Sequence, residues 1–382
     1  MKLKFVILPI AALVSGCSLF SSTDKAKPPA PLTEFQAQAT VLSQWSGSVP
    51  GLDKKPGLKI SLTEKDGKLY AASPNGAVLA FSASGAQLWR VDTQHAFTTG
   101  VGVGAGLLLI GTRAGLVVAF KAEDGSQLWE VQTGGELLAP PQAAADVSVA
   151  RTTDGRLLGL DTRTGAQLWT YNRKEPVLTL RGTSSPLRVS DVVLAGFDNG
   201  RLAGLEATTG KLLWEIPVAQ SSGRSDLERM VDIDADLELL GTTLYATAYQ
   251  GRTVAVDLRA GKMQWERQTS SFQGFAVDDN ALYLSQADST VVALDRASGA
   301  PLWTQDKLEN RQITAPALVD NYLAVGDMEG YVHVLDRSNG QFVARYALGR
   351  SPIVARPLAA NGQLYVINTA GAISALKLEG AR

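Results

Sequence analysis

Cysteine is all but absent from this 382-residue chain: Cys17 is the only one, which excludes an intrachain disulfide. Histidine is nearly as scarce, at two residues, and no Cys–His pairing exists from which a zinc site could be built. His95 falls between repeats and His333 lies inside the alternating run Tyr331-Val-His-Val-Leu335, so both read as structural or surface residues rather than catalytic ones. An excess of either charge is missing too, since 36 basic against 37 acidic residues leave a formal net charge of −1. No basic patch interleaved with aromatics occurs, which argues against a nucleic-acid partner. No apolar run approaches the ~20 residues of a membrane-spanning helix.

What the chain does have is repetition. Asp161-Thr-Arg-Thr-Gly165-Ala-Gln-Leu-Trp169 recurs as Ser84-Gly85-Ala-Gln-Leu-Trp89, Asp124-Gly125-Ser-Gln-Leu-Trp129 and Thr209-Gly210-Lys-Leu-Leu-Trp214. It returns as Ala260-Gly261-Lys-Met-Gln-Trp265 and Ser298-Gly299-Ala-Pro-Leu-Trp303, with a weaker copy at Asn339-Gly340-Gln-Phe-Val343. The glycines are 40, 40, 45, 51, 38 and 41 residues apart, the period of a propeller blade. Before each copy, two apolar-alternating runs flank a turn, as in Ala281-Leu-Tyr-Leu-Ser285 and Thr290-Val-Val-Ala-Leu294, which is the pattern of an antiparallel hairpin. Turn positions hold Gly76, Gly115, Gly155, Gly200, Gly251, Gly330 and Gly371, with Ser289 in the remaining copy, making eight hairpins.

The last hairpin runs out at the C-terminus with no outer strand, whereas Val41-Leu-Ser-Gln-Trp45 carries an orphan Gln-Trp with no hairpin before it. Together they predict an all-β, eight-bladed β-propeller of four-stranded antiparallel blades, the N-terminal strand completing the last blade. Closure removes the unpaired edges that an open ring would expose. Asp161 and its counterparts are placed to cap the turn that follows. Trp45, Trp89, Trp129, Trp169, Trp214, Trp265 and Trp303 are expected to dock blade on blade, because one tryptophan per blade cannot all stack on a single central cofactor.

At the N-terminus, Lys2 and Lys4 precede the apolar run from Phe5 to Val14, the core of a signal peptide. Val14-Ser-Gly-Cys17 resembles the lipobox of bacterial lipoproteins, in which cleavage exposes the cysteine for acylation. The resulting division is 1–16 signal peptide, 17–34 lipidated Cys17 and flexible tether, and 35–382 propeller. Ser18, where lipoproteins kept in the inner membrane usually have Asp, implies outer-membrane sorting. The polar, proline-rich 18–31 stretch reads as a solvated spacer.

Catalytic motifs are thin. Gly100-Val-Gly-Val-Gly-Ala-Gly106 leads into a strand rather than a helix, so no helix N-terminus would receive a phosphate. Asp232-Ile-Asp234-Ala-Asp236 begins like a calcium loop, but Leu237 and Thr243 stand where Gly and Glu are needed. In an extended segment its carboxylates share one face, a surface recognition feature. The two long repeat intervals place insertions at 171–182 and 217–232, on neighbouring blades. Insertions in repeat proteins collect on one face, often the binding face. Drift in loop length is thermodynamically cheap, so spacing alone leaves that explanation open.

The Asp-x-x-Thr-Gly-x-x-x-Trp repeat resembles the propeller of pyrroloquinoline-quinone dehydrogenases. The lipobox with a bare eight-bladed ring resembles the BamB family of outer-membrane protein assembly factors, over essentially the whole mature chain. Leu178-Thr-Leu-Arg-Gly182-Thr-Ser-Ser-Pro186, Asp198-Asn-Gly-Arg201 and Ser225-Asp-Leu-Glu-Arg-Met-Val-Asp232-Ile-Asp234 carry that likeness. It implies a non-catalytic scaffold in the BAM complex, anchored to the outer membrane by lipid and facing the periplasm, with contact to nascent outer-membrane proteins left open. By the same resemblance, Leu178, Leu180, Arg181, Asp232 and Asp234 would contact the POTRA domains of BamA. Departures are a first repeat one residue short before Gly85 and the missing tryptophan near Phe342. The alternative is a quinoprotein dehydrogenase, which often needs a pair of adjacent cysteines that this chain lacks. No cofactor and no metal are therefore expected.

Overall fold

Apolar alternation dictates hairpins, and hairpins build the whole molecule. The computed structural model describes residues 27–52, 58, 60–173, 184–220, 224–225 and 230–380. They form eight antiparallel sheets in chain order, spanning 63–92, 102–132, 147–172, 187–217, 238–267, 274–305 and 317–347, with the eighth made from both ends of the chain. There Leu358–Ala360, Gln363–Ile367 and Ala372–Gly380 are joined by the N-terminal strand Ala39–Ser48, with Trp45 opposite Ala375. Innermost strands touch between blades one and two and from blade five through eight round to blade one, so the two ends of the chain close the ring. Seven sheets have four strands and blade three has three. Its innermost position is reduced to a single bridge, Gln142 to Val149. The preceding Pro140-Pro141 has no N–H groups to give to a ladder.

The outer strands explain the tryptophans. Every outer-strand pairing slips by one residue just before the tryptophan position, as where Gly159 faces Trp169 but Leu160 faces Gln167. Such a bulge re-aims the next side chain. It turns the indole towards the neighbouring blade and pushes out the residue before it, so Leu88, Leu128, Leu168, Leu213 and Leu302 are 46% to 55% exposed. Opposite each indole the third strand carries a small residue, Ala80, Ala119, Gly159, Gly204, Ala255, Ala293 or Ala375.

Each indole then covers the turn glycine of the following blade. Trp45 lies over Gly85, Trp129 over Gly165 and Trp169 over Gly210; a methyl group on any of these glycines would come 2.5 Å from the ring. The seven repeat glycines have φ between +59° and +87°, so close approach and backbone conformation both demand glycine. Indole N–H groups donate to main-chain carbonyls just before those glycines: Trp45 to Ala83, Trp129 to Thr162, Trp169 to Ala207, Trp265 to Arg296 and Trp303 to Arg337, at 2.9–3.1 Å. Trp89 is an exception, its buried N–H lacking a partner among the described residues while the Tyr70 hydroxyl bonds the carbonyl of Ala122. Thus the glycine and tryptophan of one motif belong to two different contacts. Asp161 also caps its turn, accepting from the main-chain N–H groups of Arg163 and Thr164.

Seven tryptophans meet seven turn glycines, which accounts for the copy without one. Blade eight has no turn into its outer strand, because that strand arrives from the N-terminus. At blade seven the tryptophan position is Ala344, and the small residue opposite has grown to Val334. The N-terminal segment lies there instead: Gln38 N–H donates to Val343 O at 2.9 Å and Phe35 stacks on Phe342. Among the described residues, hydrogen bonding to the ring begins at Ala30, whose N–H donates to Glu309 O, within the stretch expected to be a solvated tether. Two hairpin turns also vary. Ser289 adopts φ +73° where the other copies use glycine, and in the fifth blade Gln250 rather than Gly251 takes the positive φ.

Trp169→Ala is expected to cost about 3–5 kcal/mol in urea denaturation, as for large aromatic truncations in cores. Gly210→Ala should be strongly destabilising alone and markedly less so in the Trp169→Ala background, a coupling of about 0.5–3 kcal/mol for groups in contact. Additive losses would show that the two residues do not share one contact.

Candidate interaction surface

The two insertions leave the ring at the connections from blade three to four and from blade four to five. Leu178, Leu180 and Arg181 lie outside the described residues, but both ends of their segment are defined. At the near end, Arg173 pairs with Glu215 of blade four at 2.6 Å. At the far end Ser184 is buried, its hydroxyl receiving a bond from Arg151 of blade three at 3.2 Å. The next residue, Ser185, donates its N–H to Asp236 Oδ1 at 2.8 Å. The residues just past the two insertions are therefore hydrogen-bonded to each other.

They meet over the end of the second strand of blade four. A side chain at Gly196 would collide with Ile233 and come 3.1 Å from the Ser184 hydroxyl. Ile233 has no exposed surface, and its N–H faces the carbonyl of Phe197. On the other side, Tyr249 of blade five donates its N–H to the carbonyl of Asp232 at 2.9 Å. This wedging corrects the expectation of three carboxylates on one surface. Asp232 has 0% exposure, Asp234 is half-buried, and Asp236 is exposed. The segment is gripped between two blades rather than laid flat as a strand, so strict alternation does not apply.

Beneath the meeting point lies a buried ion pair. Arg151 ends the second strand of blade three and reaches Asp198 in the turn of blade four, with side-chain exposures of 1% and 2%. Its guanidinium also sits 5.4 Å from the centre of the Phe197 ring. Burial pushes the Asp198 carboxyl above its usual range, against the pull of Arg151. The pair ties blade three to blade four at the base of both insertions. Nothing in the repeat pattern marked it, because Arg151 ends the otherwise ordinary strand Val147–Arg151. Asp236 was visible in the acidic cluster, but its partner on another blade was not.

The axis offers a different chemistry. Arg356 of blade eight pairs with Glu238 of blade five at 2.5 Å. Those blades have two others between them, so the ion pair reaches across the central opening. Among the described residues no group of three His, Cys, Asp or Glu side chains could hold a metal ion.

Comparison with known proteins decides the family. The family model described as outer membrane protein assembly factor BamB matches residues 74–305 and 287–382. The chain belongs to the BamB family. A member from Pseudomonas aeruginosa is 45% identical over 373 residues, 97% of each chain. Another from Escherichia coli is 34% identical over 380 residues, covering 96% of this chain and 97% of that one. The crystal structure of BamB from Moraxella catarrhalis superposes with a TM-score of 0.82 at 27% identity, covering 88% of this chain and all of that one. Quinohemoprotein alcohol dehydrogenase from Comamonas testosteroni gives a TM-score of 0.69 at 12% identity, a likeness of fold alone.

Arg151→Met should leave Asp198 buried without its cation and cost about 3–5 kcal/mol. Adding Asp198→Leu should recover much of that loss, since an apolar pair replaces a buried ionic one at little net cost. Urea denaturation of the two variants checks this, and a double variant no more stable than Arg151→Met would mean that the pair is not the source of the loss.

Proposed function

We propose that this chain is a non-catalytic scaffold of the outer-membrane β-barrel assembly machinery, docking through blades three to five on the periplasmic POTRA domains of BamA. The observation that carries the reading is the convergence of the two insertions over Gly196, sealed by the bond from Ser185 to Asp236. It draws together the ends of the segments that hold Leu178, Leu180 and Arg181 on one side and Asp232 and Asp234 on the other. A guanidinium flanked by leucines is a strong contact composition, because the planar fork grips a carboxylate while the apolar groups exclude water. Asp236 supplies exposed negative charge nearby, with Asp234 half-buried beside it, which sets register and orientation more than affinity. Asp232 acts from beneath, through a main-chain bond that holds the segment against blade five.

In this reading Cys17 carries the lipid that keeps the ring at the outer membrane, facing the periplasm. Ala30 is held at the connection between blades six and seven, on the same face as the insertions. The N-terminal segment is thus held at different blades from the contact surface. The ring itself is a rigid frame that displays the loops.

Arg181→Glu should leave the melting temperature nearly unchanged and weaken capture by isolated POTRA domains by about 2 kcal/mol or more. A folded variant that binds normally would remove Arg181 from the interface. Cys17→Ser should keep the fold and shift the protein out of the membrane fraction; full retention there would mean that something other than the lipid holds it.

A further inference from the structure

The segment 30–38 crosses blade seven at the one place in the ring where no tryptophan docks, and it is held by more than apolar contact. Phe35 and Phe342 stack with centroids 5.6 Å apart, and the Arg345 guanidinium lies 5.0 Å from the Phe35 ring. Two arginines also grip the main chain of the segment. Arg311 Nη1 donates to Ala30 O at 2.7 Å, and Arg345 Nη2 donates to Thr33 O at 3.0 Å.

Both arginines are tied to one buried carboxylate–imidazole pair. Asp327 and His333 have 0% exposure and meet at 2.8 Å, Oδ2 to Nε2. The same Oδ2 accepts from Arg311 Nε at 2.8 Å, while Oδ1 accepts main-chain N–H groups of Glu329 and Tyr331. Burial works to raise the Asp327 carboxyl, but bonds from His333, Tyr331 and Arg311 outweigh it and hold the group below its usual range. An ionised Asp327 can only accept, so Nε2 of His333 carries a hydrogen. The other ring nitrogen, Nδ1, then accepts from Arg345 Nε at 3.3 Å, which is possible only while the imidazole is neutral.

We propose that this cluster is a proton-sensitive lock on the N-terminal segment: neutral His333 keeps Arg345 on the segment, and protonated His333 releases it. A proton on Nδ1 takes away the acceptor of Arg345 Nε and sets a new cation against it. The charged groups facing the imidazole are Asp327 from the turn of blade seven, Arg345 from its outer strand and Arg311 from the connection before it. Glu329 is occupied by Arg311, Tyr331 adds a ring at 6.2 Å, and the segment itself brings carbonyl oxygens and Phe35. Burial holds His333 below its ordinary range, with Asp327 opposing. The docked state therefore resists the proton, and by linkage acid favours the state in which Arg345 has left Nδ1. Release of nine residues adds up to roughly 30 Å of reach. If Cys17 is lipidated as proposed, that length lies between lipid and propeller; the lock itself does not depend on it.

The test is hydrogen exchange of the full mature chain in detergent at pH 7.5 and pH 5.0, corrected for the intrinsic pH dependence of exchange, with Ala281–Ser285 as the internal reference. Protection across 30–38 should fall at least tenfold in acid while the reference is unchanged. His333→Gln should stay protected at both pH values, His95→Gln should behave as the parent, and Arg345→Met should be unprotected at both. Equal protection of the parent at the two pH values, or acid release retained in His333→Gln, overturns the lock. If His333→Gln does not fold, Arg345→Met decides: protection retained in that variant overturns it as well.

Discussion

The seating of an indole on a glycine of the next blade is the contact on which the ring depends. Within a blade, ladder bonds suffice; between blades, something must fill the wedge that opens towards the outside. A tryptophan does so with a large flat surface and one directional N–H. Its approach requires a bulge beneath it, a small residue opposite and a glycine with positive φ in the neighbour. Those three requirements are one interaction seen from three positions, which is why they recur together.

The same constraint explains where the ring is irregular. Blade eight is built from both ends of the chain, so it presents no glycine turn to blade seven. The tryptophan there has no target and is replaced by Ala344, while Val334 fills the space and the N-terminal segment covers the outside. Paired prolines cost blade three its innermost strand. These departures leave the remaining docks untouched, since each contact in a propeller involves only nearest neighbours.

The repeat is interrupted at two neighbouring connections. The insertions after blades three and four end against each other, above the buried Arg151–Asp198 pair. Among the described residues, the chain that flanks the two insertions is held together on the ring by Ser185 and Asp236. The dehydrogenases of similar fold show that the frame alone does not set the chemistry.

Much of the fold was legible in the sequence, because a propeller repeats local rules. Alternation gave the hairpins, the 40-residue spacing gave the blades, and orphan Trp45 with an unfinished last repeat implied closure. The acidic cluster and the long intervals pointed to blades three to five. What the sequence could not supply were relations between residues far apart in the chain. Gly165 stands four residues before Trp169, yet it meets Trp129, and Asp236 meets Ser185 from another blade. The burial of Asp232, the Arg151–Asp198 pair and the docking of Phe35 on Phe342 likewise arise only when the ring brings distant segments together. Periodicity reports which face of its own strand a residue occupies; tertiary packing alone decides what stands across from it.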